Sequence, residues 1–474
     1  MAAELWRWNA VDLAGAIRAR KISSREAVES CLSRVAQVNP RVNAIIDLMA
    51  EEALAAADRA DAAVKKGEGL GALHGVPVTL KINVHVTGRP TTNGVVAFKD
   101  NVATEDAPPV ANWRAAGAIF IGRTNVPAFS TRYFTDNALH GRTLNPWDRT
   151  RTPGGSSGGA AVAVATGMGA LAHGNDRAGS VRYPSYACGV FGLRPTLGRI
   201  PNIEPAAPDE IAITTQLANT QGPLARSIAD LRLGAIAMSA RDARDPWWVP
   251  VPWRNEVPPP GRVAMCAGVP GAEVDPAVAA AVRQAARWLE EAGYQVEEAA
   301  PPRLEEAGSL FFTLVASEGA VSKEDKAGTT RAIEAFGDEA AKRARRSTIA
   351  SVKPLDYEGY VGAFARRGAI LRQWQLFFER YQVLLLPISW QRPFRVDEDQ
   401  KGDAAMAALL KAQHPILAAS MLGLPGLAAP ATLADGVPVG VQLVAGRFQE
   451  ELLFAAGEAI DARQPVKTPI DPRL

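Results

Sequence analysis

The chain has 474 residues, of which 47% are hydrophobic and 22% are charged, and its formal net charge is +2. This composition allows an extensive buried core, and the absence of long basic runs argues against a nucleic acid partner. No apolar run approaches the length of a membrane span and the N-terminus lacks a secretory apolar core, so we expect no membrane partner. Cys31, Cys188 and Cys266 are widely spaced and no His/Cys cluster is present, which predicts a reduced, cytoplasmic protein without a metal site.

The N-terminal part of the chain predicts two helices that cover one face of a sheet. Ser23 and Glu26 form a capping-box pattern, and apolar residues follow at helical spacing until Asn39-Pro40, where we expect the helix to end. A second, alanine-rich helix is predicted from about Met49 to Lys66, ending at Gly67.

Residues 74–86 alternate with period two, which predicts a strand with two different faces. One face is apolar and the other polar, and the polar one carries Thr79, Lys81, Asn83 and His85. If the strand lies inside the sheet, Lys81 is shielded from water and its amine can act as a base near neutral pH. If it is an edge strand, the polar face is solvated, and alternation alone favours this second interpretation.

The remainder of the chain predicts further α/β elements. Predicted helices span 111–116, 160–166 and Pro276–Glu291, the last with Asp275 as its N-cap; predicted strands span 119–121, 262–266, 294–297, 383–386, 427–429 and 439–444. Residues 305–381 are predicted to be mainly helical, with apolar anchors that belong to the core or, alternatively, line a substrate pocket: Phe311, Phe312, Phe364, Trp374, Phe377 and Phe378.

Two Gly/Ser loops, Gly154–Gly159 and Gly174–Ser180, bracket an Ala/Val-rich segment, which is not the pattern of a flexible linker. Successive backbone N–H groups before Ser180 can converge on an oxyanion, although a serine after glycine is also common in ordinary turns. The Gly-x-Ser-x-Gly pattern is absent, and His173 is expected to be a core histidine. Another base is therefore required, and Lys81 is the best candidate in the sequence.

Several motifs taken together resemble those of the amidase signature family, and the resemblance covers nearly the whole chain. The intervals between Lys81, Ser156 and Ser180 are also similar to those of the family's catalytic trio. The motifs are Gly75-Val-Pro-Val-x-x-Lys81-x-Asn83, Thr124-Asn125, Asn145-Pro-Trp147, Gly154-Gly-Ser-Ser-Gly-Gly159, Gly174-x-Asp176-x-x-Gly179-Ser180-x-Arg182-x-Pro184, Gly192-Leu-Arg-Pro-Thr-Leu-Gly198, Gly423-Leu-Pro-x-Leu and Pro438-Val-Gly-x-Gln442.

This resemblance implies an α/β fold with a central mixed β-sheet covered on both faces by α-helices. It implies one amidase domain over residues 1–474, with a signature core at about 70–225 and a helical, substrate-side subregion at about 258–385 packed on the same sheet.

The resemblance also implies a Ser–cis-Ser–Lys triad and no cofactor or metal. Ser180 is then the acylated nucleophile, Ser156 on a cis peptide relays protons, and Lys81 is the base. The implied oxyanion hole and supporting residues are the backbone N–H groups of Arg177, Ala178, Gly179 and Ser180, and the side chains of Ser157, Asp176, Arg182 and Asn83.

Three positions depart from the family pattern. Ile82 stands where the family commonly has aspartate, and we expect a changed packing contact there. Ala178 replaces a glycine and is strained if that position requires positive φ. Arg177 replaces a small or apolar residue; it can turn toward Lys81 and disfavour the protonated amine, turn outward to contact substrate, or be solvated.

The leading hypothesis is hydrolysis of a small-molecule carboxylic amide, with aryl amides, esters and carbamates as related substrates. An amidase-like subunit of a tRNA-dependent amidotransferase and a catalytically silent binding protein are the alternatives. The sequence leaves the substrate undetermined and a homodimer open.

Overall fold

A computed structural model describes residues 4–203, 211–254, 256–321 and 330–473. Their strands are β1 (Ile45–Leu48), β2 (Pro77–Lys81), β3 (Ile119–Thr124), β4 (Leu171–Asp176), β5 (Phe191–Arg194), β6 (Thr220–Ala225), β7 (Arg262–Met265), β8 (Gln295–Glu298), β9 (Val383–Pro387), β10 (Gly426–Ala434) and β11 (Val437–Val444). All 11 belong to one sheet in the order β1-β3-β2-β4-β6-β5-β10-β11-β9-β7-β8. The sheet is mixed, since β2 runs parallel to β3 and β4 whereas β4 and β6 are antiparallel.

The helices alternate with these strands along most of the chain. They are α1 (Ala10–Arg18), α2 (Ser24–Val42), α3 (Ala50–Lys66), α4 (Pro108–Ala115), α5 (Gly158–Ala165), α6 (Arg182–Cys188), α7 (Ile213–Ala218), α8 (Ile228–Met238), α9 (Pro276–Glu291), α10 (Leu304–Val321), α11 (Thr330–Phe336), α12 (Glu339–Ser351), α13 (Tyr357–Arg380), α14 (Asp403–Ala412), α15 (His414–Leu422) and α16 (Glu450–Asp461).

Helices cover both faces of the sheet, as expected. Side chains of a strand alternate between the two faces, and those of β3 divide accordingly between two apolar clusters. Ile119 and Ile121 pack with residues of α2, α3 and α5, whereas Phe120 packs with residues of α1, α4 and α8. Helices α2 and α3 contribute most of their buried side chains to the cluster of Ile119 and Ile121, in keeping with the predicted placement, whereas Ala27 and Val64 belong to the other cluster.

The strand that carries Lys81 lies inside the sheet, between β3 and β4, so the edge-strand interpretation is wrong. The strand is also shorter than the predicted 74–86, because the chain turns immediately after Lys81. Ile82 donates its N–H to the carbonyl oxygen of Thr124 at 3.1 Å, and Val84 donates back to the carbonyl oxygen of Lys81 at 3.3 Å. Ile82 is buried, in keeping with a packing role.

Two further expectations concern where elements end. Helix α2 starts with the predicted capping box at Ser23 but does not stop at Asn39-Pro40. Proline removes one helical hydrogen bond without preventing the next two residues from continuing, and the helix ends at Val42, where Asn43 takes a left-handed conformation. The turn Asp435-Gly436 connects β10 to β11 as predicted, with positive φ at both residues.

Candidate active site

Lys81 is the last residue of β2, and its side chain is completely buried. Its Nζ lies 2.7 Å from Ser156 Oγ and 2.6 Å from Asn175 Oδ1. The amine therefore meets the predicted relay serine directly, in a site without bulk water around the nitrogen.

Burial lowers the pKa of Lys81 from 10.5 to about 7, since a charged ammonium is disfavoured where water is excluded. The carboxylate of Asp176 opposes this shift only in part. An amine with a pKa near 7 is available in its uncharged form at neutral pH, as a general base requires.

Asn175 is a site residue that the sequence analysis missed. Its Oδ1 accepts from Lys81, and its Nδ2 donates to Asn83 Oδ1 at 3.0 Å. Asn83, a predicted supporting residue, is held in turn by Ser130 Oγ at 3.1 Å. The two amides thus form a pair that fixes the direction of the lysine amine. Asn175 stands at an unspecified position of the Gly174-x-Asp176 motif, and only its polarity at the end of a strand could have drawn attention to it.

The first Gly/Ser loop places Ser156 beside Lys81, just before α5. The Gly155–Ser156 peptide bond is cis, and the Ser156 side chain is buried. A Cβ at Gly155 would lie 2.2 Å from the carbonyl oxygen of Arg132, so only glycine fits at this point of the loop.

Ser157 connects the two loops through its backbone, since its N–H donates to the carbonyl oxygen of Ser180 at 3.2 Å. Its side chain plays a different part from the one expected. The buried Oγ has no hydrogen-bond partner among the described residues, so the predicted bracing comes from the main chain and not from the hydroxyl.

Asp176 holds the second loop from within. Its carboxylate accepts from the N–H groups of Gly179 at 2.8 Å and Val181 at 3.2 Å, and from the guanidinium of Arg182 at 2.9 Å. Although burial opposes ionisation, the guanidinium groups of Arg182 and Arg194 hold the pKa of Asp176 well below its usual range. The Asp176–Arg182 pair is fully buried, and both predicted supporting side chains shape the loop that ends at Ser180.

The backbone of the second loop revises the expected oxyanion donors. The N–H of Gly179 is already donated to Asp176, so it is occupied in this structure. Within the described part of the chain, the N–H groups of Arg177, Ala178 and Ser180 have no acceptor. Gly179, with φ of +96°, takes the left-handed conformation, and Ala178 lies outside that region and carries no such strain.

Arg177 points away from Lys81. Its guanidinium donates to Thr214 Oγ1 on α7 at 3.1 Å and lies 6.0 Å from the ring centroid of Phe311 on α10. Burial accounts for the lowered pKa of Lys81 and the Asp176 carboxylate opposes it, so an electrostatic effect of Arg177 on the lysine has no support. The side chain is half-buried, which also excludes a fully solvated arginine.

Comparison with known proteins places this geometry in a family. The family model described as Amidase matches residues 26–454. The chain belongs to the amidase family. This amidase is 45% identical over 464 residues to an indoleacetamide hydrolase of Bradyrhizobium diazoefficiens, covering 98% of this chain and 87% of the relative. It is 33% identical to a glutamyl-tRNA(Gln) amidotransferase component of Moorella thermoacetica, covering 97% of both chains.

A solved structure shares the fold over the same extent. The structure of 6-aminohexanoate cyclic dimer hydrolase complexed with substrate matches with a TM-score of 0.83 and 26% identity, covering 99% of each chain. The similarity to these relatives identifies this amidase as a hydrolase of non-peptide carbon–nitrogen bonds in small-molecule amides.

Other candidate residues of this amidase lie in the core. His173 is buried, its Nε2 is 2.9 Å from Gln221 Oε1, and burial lowers its pKa to about 3, so it is a neutral core histidine as predicted. Phe311 and Trp374 are buried, and the other four predicted apolar anchors pack against the same core. Over the residues that the structure describes, no helix is long and apolar enough to cross a membrane.

Proposed function

We propose that this amidase hydrolyses a small primary amide through an acyl-enzyme, with Ser180 as nucleophile, Ser156 as proton relay and Lys81 as base. The observation that carries the proposal is the buried Lys81 amine, 2.7 Å from Ser156 Oγ and with its pKa lowered to about 7. A nucleophilic hydroxyl requires such a base, and no histidine among the described residues replaces it.

Acylation begins when Ser180 Oγ attacks the amide carbon. Its proton passes to Ser156 Oγ, whose own proton passes to the lone pair of neutral Lys81. Because Asn175 Oδ1 accepts a proton of the same amine, that lone pair is directed toward Ser156. The backbone N–H groups of Arg177, Ala178 and Ser180 bind the oxyanion that forms.

Collapse of the tetrahedral intermediate breaks the carbon–nitrogen bond. The proton held by Lys81 returns through Ser156 to the leaving nitrogen, which departs as ammonia from a primary amide. Water then attacks the ester of Ser180 and loses a proton to Lys81 through Ser156. When this second tetrahedral intermediate collapses, the proton returns through Ser156 to Ser180 Oγ and the carboxylic acid is released. Lys81 is uncharged again at the end of the cycle.

The substrate class follows from the indoleacetamide hydrolase relative at 45% identity. We take an arylacetamide, such as indole-3-acetamide, as the preferred substrate. The ring centroid of Phe311 on α10 lies 6.0 Å from the guanidinium of Arg177, whose backbone belongs to the proposed oxyanion loop.

A substrate panel tests this proposal. We expect kcat/KM for indole-3-acetamide to exceed that for acetamide and for an anilide by about 10-fold or more, since an aryl group gains binding energy that a methyl group cannot. The Ser180→Ala variant serves as the blank for ester and carbamate substrates, which hydrolyse without an enzyme. Turnover of every amide at the level of this blank would contradict the proposal.

The amidotransferase relative gives the alternative function, release of ammonia from glutamine for a partner protein. The purified chain alone distinguishes the two: we expect hydrolysis of the arylacetamide without partner proteins and none of glutamine.

Light scattering on the same sample shows whether the active species is a monomer or a homodimer. The three free, buried cysteines support the proposed cytoplasmic location.

A further inference from the structure

Tyr133 lies where the two Gly/Ser loops meet. Its hydroxyl donates to the carbonyl oxygen of Ala178 in the second loop at 2.7 Å. Its own carbonyl oxygen accepts from Thr152 Oγ1, just before the first loop, at 2.9 Å. A Cβ at Gly155 would come within 2.8 Å of the carbonyl carbon of Tyr133, so the backbone of this tyrosine lies against the first loop. One residue therefore touches the loop of Ser156 and the loop of Ser180.

The peptide unit between Ala178 and Gly179 is held from two sides. Tyr133 donates to its carbonyl oxygen, and its N–H donates to Asp176 Oδ1 at 2.8 Å. Because a peptide unit is planar, fixing both ends of its dipole prevents it from rotating. The orientation of this unit determines where the neighbouring N–H groups of Ala178 and Ser180 point.

We infer that Tyr133 is a positioning residue for the amide hydrolysis proposed above: its hydroxyl holds the 178–179 peptide so that the flanking N–H groups face the oxyanion. Preorganised donors act because they need no reorientation as charge develops. Asp176 alone fixes only the N–H side of the unit, so the carbonyl side depends on the tyrosine.

The surroundings of Tyr133 keep its hydroxyl in place as a donor. The side chain is buried, and its ring meets that of Tyr183 with centroids 5.1 Å apart and planes at 65°. Burial and the nearby Asp176 carboxylate raise the pKa of Tyr133, so the phenol stays protonated throughout the working pH range.

The Tyr133→Phe variant removes this donor and leaves the ring packing unchanged. We expect kcat for an amide substrate to fall by about 10- to 100-fold, less than the loss of a direct oxyanion donor, with KM within about twofold of wild type. The number of sites titrated by a fluorophosphonate should stay the same, since Ser180 and Lys81 are untouched.

A trifluoromethyl ketone analogue of the substrate provides a second readout. The hydroxyl of Ser180 adds to its carbonyl carbon and its proton passes to Lys81, leaving an oxyanion in the proposed hole. The Tyr133→Phe variant should bind the ketone more weakly by about the factor lost in kcat, while its affinity for the carboxylic acid product stays the same.

Tyr183→Phe is the matched control. It also removes one buried phenol hydroxyl, which accepts from the N–H of Phe394 at 3.1 Å and, among the described residues, makes no hydrogen bond to either loop. We expect its kcat and ketone affinity to stay within about twofold of wild type. Unchanged kcat and ketone affinity in Tyr133→Phe, or losses equal to those of Tyr183→Phe, would overturn the inference. Failure of the wild-type enzyme to form the ketone adduct would overturn the proposed function, and the inference with it.

Discussion

The Ser180→Ala variant is expected to lose at least about 10⁴-fold in kcat/KM, since no acyl-enzyme can form without the hydroxyl. The fold should not suffer. The Ser180 side chain is half-buried and its Oγ makes no hydrogen bond to a described residue, so stability should change by less than about 0.5 kcal/mol. Initial rates on indole-3-acetamide and a thermal unfolding curve measure the two effects.

A control for this variant lies five residues further along the chain. Ser185→Ala removes a buried hydroxyl on α6 whose one hydrogen bond to a described residue goes to the carbonyl oxygen of Val181, at 2.9 Å. Its kcat/KM should remain within about threefold of wild type. Activity of Ser180→Ala within 10-fold of that control would mean that another group attacks the amide.

The Lys81→Met variant is expected to lose about 10³- to 10⁴-fold in kcat/KM, near the upper end of what a general base contributes. Methionine is long and apolar enough to fill the buried site but cannot accept a proton. The loss should fall on kcat, because the amine contacts Ser156 and Asn175 and not a binding surface. Steady-state kinetics at pH 8 and a circular dichroism spectrum provide the measurement and the check of folding.

The titration of Lys81 also affects the pH dependence of the free energy of unfolding, which should differ between the wild-type protein and the Lys81→Met variant. The pKa of Lys81 is about 7 in the folded protein and near 10.5 when unfolded, so between these values the unfolded chain binds the additional proton. The contribution of this group to stability therefore rises with pH across that window. The Lys81→Met variant should lack this rise of stability with pH. Full activity of a correctly folded Lys81→Met variant would show that the amine is not the base.

The proposed catalytic trio could be identified in the sequence because Lys81, Ser156 and Ser180 lie in local motifs. Gly155 beside Ser156 is required by a close backbone contact with Arg132, and Gly179 beside Ser180 by its positive φ and the nearby side chain of Ile416. Such requirements leave a pattern in the sequence. The position of Lys81 inside the sheet was harder to predict, since alternation alone favoured an edge strand. Which strands flank β2 is decided by contacts with β3 and β4 that are distant in sequence.

Two residues that support the proposed trio, Asn175 and Tyr133, could not be predicted for a related reason. Asn175 on β4 contacts Lys81 on the adjacent parallel strand β2. Tyr133 contacts Ala178 in the second Gly/Ser loop, 45 residues further along the chain. Neither contact has a local pattern. The same holds for Gly179, whose N–H is used by the Asp176 side chain three residues earlier. The sequence of such a loop does not tell which of its backbone N–H groups are already hydrogen-bonded within the loop.

The pH dependence of Ser180 phosphonylation by a fluorophosphonate tests the central claim most directly. If neutral Lys81 activates Ser180 through Ser156, the rate constant should rise with pH along a single titration with a midpoint of about 7, and peptide mass spectrometry should find the adduct on Ser180. Arg177→Ala should leave that midpoint unchanged, because its guanidinium binds Thr214 and not the lysine site. A rate that does not vary between about pH 5.5 and 8.5, or an adduct on another residue, would contradict the account.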